Sequence, residues 1–252
     1  MVWVHRQLGR RAVVVAMPHA LLLAAGCMPA RVQESGRYAG PPLPPPERIL
    51  VLDLGVLPAD VKLDDGMRAR FESMVSNEPV DAQRLRAGRQ AAAAVSDEVA
   101  SRLRSYGLPA ERSAALPPPG AQRIVLVEGH MLSVDEGNRT QRTIIGFGRG
   151  QSSVTVEAQV YYRDGAAAPR LIDNFQARAE SPRTPGAVAT MGGGAIAGRL
   201  AESAAASGIM RGVTEARSAD PGSEGRRIGD ALALRLGRLF AQLGWVPAAA
   251  VS

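Results

Sequence analysis

The sequence predicts an α+β domain: a small, mainly antiparallel sheet with two long helices packed on one face. Three observations carry that expectation. Apolar residues recur at spacings of three and four over two long stretches, near 81–106 and 224–243. Short segments with period-two or continuous apolar character, bounded by Gly and Pro, lie between them. The chain of 252 residues is long enough to bury one core without disulfides, and its single cysteine makes an intramolecular disulfide impossible.

Residues 1–26 come first and read as a cleaved export signal. Arg6, Arg10 and Arg11 form a positive start, and Ala12 to Ala25 form an apolar run of 14 residues. That run is short of the roughly 20 residues a membrane span needs. Small residues, Ala24-Ala25-Gly26, then precede Cys27. Leu23-Ala24-Ala25-Gly26-Cys27 resembles the lipobox of bacterial lipoproteins. The resemblance implies cleavage before Cys27, followed by acylation of its thiol and of the new amino group. Met28, in place of aspartate, implies by the same resemblance delivery to an outer membrane facing the periplasm. Two other readings stand beside it: an ordinary secretory leader, and a twin-arginine route through Arg10-Arg11.

With the leader removed, 27 basic residues face 24 acidic ones, a charge of +3, and Lys62 is the sole lysine. The arginines are interspersed with acids, so the basic stripe with interleaved aromatics that nucleic-acid binding requires is missing.

Residues 27–47 read as the lipid anchor and a Pro-rich tether, with Pro41-Pro42-Leu43-Pro44-Pro45-Pro46 in extended polyproline geometry. A single domain is expected over 48–247, with a tail at 248–252. Ile49 to Leu54 is its first strand, with Asp53 as a strand-end carboxylate. Turns run through Asp64-Asp65-Gly66. The first helix, near Asp81 to Tyr106, carries the stripe Leu85, Gly88, Ala92, Val95, Val99, Leu103 and Tyr106. Asp81 is its expected cap; Gly107 and Leu108 form its stop.

Past Pro117-Pro118-Pro119 come four extended segments: Ile124 to Met131, Thr143 to Phe147, Val154 to Tyr162 and Leu171 to Ala179. Asp164-Gly165 reverses the chain between the last two. Gly186 to Arg217 is rich in small residues. The spacing of Gly194 and Gly198 leaves open a loop, a loose helix or a membrane-associated segment that assembles a ring or pore. The last helix, from Glu224 to Leu243, buries Ile228, Leu232, Leu236, Leu239, Phe240 and Leu243, and Gly244 and Trp245 end it.

Candidate chemistry is sparse. Gly146-Phe147-Gly148-Arg149-Gly150 precedes a strand rather than a helix and lacks the Lys-Ser/Thr pair of a phosphate loop, so it reads as a glycine-rich bend. His130 is the one histidine after the leader and is expected near Glu128 on a strand face; it offers no metal set. No Gly-x-Ser-x-Gly elbow is present. No cofactor is expected.

Gly129-His130-Met131, Asp135-Glu136-Gly137-Asn138-Arg139 and Arg142-Thr143-Ile144-Ile145-Gly146-Phe147-Gly148-Arg149-Gly150 together resemble the core of a lipoprotein family known as domain of unknown function 4410. The similarity extends weakly to the final helix and Trp245. It implies no catalytic or ligand residues. From the residues themselves, Asp135 to Asn138 is a turn between strands, and Arg142 pairs with an acid or aims at a partner. Asp135, Asn138, Arg142 and Arg149 are thus the candidates for contact with envelope proteins. The expected function is a non-enzymatic envelope lipoprotein. The alternative is a periplasmic enzyme acting on glycans or small envelope metabolites through paired carboxylates.

Overall fold

The computed structural model describes residues 30–66, 78–138, 149–181 and 221–251, with positions 70, 74, 75 and 141. The leader and Cys27, Arg142, the segment 143–147 and the segment 186–217 lie outside the described residues.

Among those residues the chain is α+β. In order it forms β1 (Arg31–Arg37), β2 (Arg48–Leu52), β3 (Val61–Lys62), α1 (Val80–Ser105), β4 (Ala110–Ser113), β5 (Ile124–Asp135), β6 (Ser153–Arg163), β7 (Arg170–Glu180) and α2 (Pro221–Gln242). The strands make one sheet in the order β1-β7-β6-β5-β2-β4, with β3 added to β5. This corrects the expectation of a small, mainly antiparallel sheet. Seven strands take part, and β2 pairs in parallel with both β4 and β5, as β3 does with β5. The physical reason lies in β2. Ile49, Leu50, Val51 and Leu52 are all buried, as a strand covered on both faces requires. Ile49 and Val51 join the main core, while Leu50 joins Ile124, Leu126 and Tyr161 on the opposite face. α1 then returns the chain to β4, parallel to β2.

Both helices cover one face and run side by side in the same direction. Gly225 lies against Ala91, Gly229 against Val95 and Glu98, and Gly237 against Tyr106. A Cβ at Gly225 would meet the Ala91 carbonyl at 2.6 Å, and one at Gly229 the Val95 carbonyl at 2.8 Å. Among the described residues, Gly225 and Gly229 thus form a small-residue spacing that lets the two helix backbones approach closely. Arg102 Nε closes the flank on Asp230 Oδ1 at 2.7 Å. The cap of α1 differs from expectation: Pro79 occupies the cap position without a side-chain bond, and Asp81 pairs with Arg84 in the first turn. Its stop is as expected, with Gly107 at φ +85 and Leu108 N–H donating to the Leu103 carbonyl at 3.1 Å.

The stretch read as a tether is largely part of the domain. Arg31–Arg37 is an edge strand antiparallel to β7. Farther on, Leu43 is buried and its carbonyl accepts Trp245 Nε1–H at 2.8 Å; the Pro44 carbonyl accepts the Tyr162 hydroxyl at 3.0 Å. The proline run is fixed along the helix-C-terminal end of the molecule. The tail is packed as well, since Val251 lies against Gly237.

Burial holds the Tyr106 and Tyr162 phenols above their ordinary value of 10.0, with nearby Asp230 and Asp164 adding to it. A raised folded-state value favours the neutral phenol, so this contribution is intact below about pH 10 and is lost as pH rises through the folded values. Alkaline titration followed by tyrosinate absorbance is expected to show a late component. It disappears in the Tyr106→Phe/Tyr162→Phe variant; a late component surviving in that variant contradicts the assignment.

Candidate functional site

The ends of β3, β5 and β7 and the start of β6 meet at one end of the sheet. Lys62 is opposite Asp135, Asp135 opposite Ser153, and Ser153 opposite Glu180. Two constraints shape the turn after β5. Asp135 Oδ1 accepts the Gly137 N–H at 2.8 Å, folding the chain back on itself. Gly137 then adopts φ +69 with the carbonyls of Gly150 and Gln151 pressed against it, where any side chain would collide with backbone. The Asn138 N–H donates to the Gly150 carbonyl at 3.0 Å, so the chain departs after 138 and returns at 150 through one point.

A cleft of about 440 Å³ opens beside this turn, lined by Lys62, Asp65, Asp135, Asn138, Gln151 and Arg178, among others. Four of its five charged residues are matched in neighbouring pairs. Lys62 Nζ lies 3.2 Å from Asp135 Oδ2, and Arg178 Nε 3.0 Å from Glu180 Oε1. Asn138 Nδ2 donates to Asp65 Oδ1 at 2.7 Å, and its Oδ1 accepts the Gln141 N–H at 2.8 Å. Gln151 Nε2 donates to the Ser181 carbonyl at 2.5 Å. What remains accessible is a dense array of amides and paired charges, suited to hydrogen-bonding a polar partner.

Beneath the cleft the floor is anchored to α2. Ser152 N–H donates to Ser181 Oγ at 3.1 Å, and Ser152 Oγ–H to Glu224 Oε1 at 3.0 Å. Glu224 is fully buried in the first turn of α2, with Arg227 at 2.8 Å. A carboxylate there complements the positive end of the helix.

Of the sequence candidates, Asp135 and Asn138 line the cleft. Arg149 is exposed, next to the lining residue Gly150. Arg142 and Cys27 lie outside the described residues. Lys62, Asp65, Gln151, Arg178 and Glu180 were not anticipated. The acidic turn at 64–66 was the available signal for Asp65, and the alternation of β7 placed Arg178 on the face away from the helices. His130 shares a face of β5 with Glu128, two residues away, and sits opposite Glu157, at 3.8 Å. Asp53 stands just past β2 and pairs with Arg112 at 2.5 Å. Among the described residues no cluster of three or more His, Cys, Asp or Glu is placed to hold a metal, and no helix is long and apolar enough to cross a membrane.

The profile of the family described as Domain of unknown function (DUF4410) matches residues 49–198, more than half of the chain. No curated protein matches the sequence. A solved structure, the PelC dodecamer from Paraburkholderia phytofirmans, is similar at a TM-score of 0.30 and 11% identity, over 64% of this chain and 88% of that one. A likeness at that level bears on neither fold nor function.

Proposed function

The chain belongs to the DUF4410 family, and from that premise we propose that it is a cell-envelope lipoprotein, anchored through acylated Cys27. In this reading it faces the periplasm from the outer membrane and acts as a non-enzymatic binding or assembly module. One observation carries the anchor: the chain's single cysteine directly follows Leu23-Ala24-Ala25-Gly26, behind a positive start and an apolar run. Each buried lipid methylene contributes about 0.8 kcal/mol, so several acyl chains hold where one would exchange.

The binding role is supported by the cleft. Asp135 and Glu180 are engaged by cations, and Asp65 by an amide. Such groups recognise a polar surface by exchanging these bonds for bonds to a partner. The partners this favours are other envelope proteins.

Labelling of cells with radioactive fatty acid is the test. The wild-type chain is expected to take up label and to sediment with membranes. Cys27→Ser is expected to take up none and to move to the soluble fraction. Unlabelled wild type, or a Cys27→Ser protein that remains on membranes, overturns the anchor.

A further inference from the structure

We infer that the cleft end of the domain faces the bilayer surface and is held close to it. This rests on the reading of Cys27 as the acylated anchor.

The argument is one of connectivity. β1 begins at Arg31, four residues beyond Cys27. Four extended residues reach at most about 14 Å. The stretch from Arg31 onward cannot act as a spacer, because its strand is hydrogen-bonded to β7 and the proline run after it is packed on Trp245 and Tyr162. The sheet register then fixes which end of the domain is held. Arg31 is paired with Arg178, a residue of the cleft wall, because β1 runs antiparallel to β7. β7 ends at Glu180, opposite Ser153, which is opposite Asp135. The start of β1 and the cleft therefore share one end of the sheet.

The other end carries the β6–β7 reversal at Asp164-Gly165 and the proline run. The 12 residues of β5 and 11 of β6 set the two ends apart by roughly 35 Å at about 3.3 Å per residue. An anchor with so short a reach at one end leaves the far end standing away from the lipid. Arg31, Lys62, Arg149 and Arg178 are exposed at the near end, interleaved with Asp65 and Glu180.

The test uses the lipidated full-length protein in vesicles of phosphatidylethanolamine and phosphatidylglycerol carrying a headgroup nitroxide. Arg149→Cys reports the cleft end and Ala166→Cys the far end; Cys27 is blocked by acylation, so each variant carries one reactive thiol for a fluorophore. The expected result is strong loss of fluorescence at position 149 and little at 166. Inserting 20 Gly/Ser residues between Cys27 and Arg31, whose mean span is about 25 Å, is expected to relieve the quenching at 149. Equal quenching at both positions, stronger quenching at 166, or quenching at 149 that the insertion leaves unchanged overturns the orientation while the anchor stands. Wild-type protein that does not float with the vesicles removes the anchor, and the orientation falls with it.

Discussion

Asp173→Ala is expected to lower the stability of the domain by about 3–5 kcal/mol, the cost of breaking a buried ion pair by removing one partner. The side chain of Asp173 is fully enclosed beneath α2, and Arg235 reaches it from that helix at 3.1 Å. Asp173 also accepts the N–H of Asn174 at 2.9 Å. Removing the carboxylate takes a partner at 3.1 Å from a guanidinium whose side chain is only 14% exposed, in surroundings that solvate a charge poorly. Against a total of roughly 5–15 kcal/mol for a native domain, a loss of that size takes much of the margin. Urea denaturation checks it through a lower midpoint with little change in slope. The double variant Asp173→Ala/Arg235→Met is expected to recover part of the loss, because the guanidinium is removed together with the carboxylate that faces it. A single variant as stable as wild type would show that the pair is dispensable.

Gly129→Val is expected to be at least as severe, on the order of 4 kcal/mol or more, or to prevent folding. Gly129 sits in β5, opposite Ala158 of β6, in the middle of the sheet. A Cβ built there falls far inside van der Waals contact of the Glu157 carbonyl oxygen and 2.9 Å from Ala158 Cα. Both are backbone atoms of a paired central strand, so no rotamer change relieves the collision; the strands must part. His130→Ala, one residue on and with a side chain 54% exposed, is the control, expected within about 0.5 kcal/mol of wild type. Thermal melts of the two variants suffice. A Gly129→Val protein that melts with wild type would mean that β5 and β6 pair otherwise than described.

Gly129 also shows what the sequence made legible and what it did not. The glycine was visible in the Gly129-His130-Met131 stretch, but the need for it was not, because the atoms it admits come from a strand some thirty residues away. Elements with strong periodicity were readable: α1, β6, β7 and α2 all lie within a few residues of where apolar spacing puts them. Three elements were not. Ala110-Glu111-Arg112-Ser113 forms an edge strand with only Ala110 buried. Val61–Lys62 is two residues long. Arg31–Arg37 has few apolar residues, and its strand conformation comes from hydrogen bonds to β7. Edge strands of this kind are made by their neighbours rather than by their own composition.

Asp173 was in principle readable. It has the same parity as Phe175, Ala177 and Ala179, which all face the helices. Glu224 likewise stands four residues before Ile228, on the buried side of α2. A charged residue in phase with an apolar stripe is a signal for a buried pair, and both positions supply one. The cleft was half legible for a related reason. Asp135 and Asn138 belong to a local turn whose chemistry is written in adjacent residues. Lys62, Arg178 and Glu180 arrive from two other strands, and only sheet order brings them together.

Mass spectrometry of the protein purified from its native host is the most direct measurement of the central claim. A mature chain that begins at Cys27, with that residue carrying thioether-linked diacylglycerol and an acyl group on its amine, is the predicted result. A mature chain holding residue 27 as a free thiol contradicts it, and with it both the proposed location and the short attachment of the cleft end to lipid.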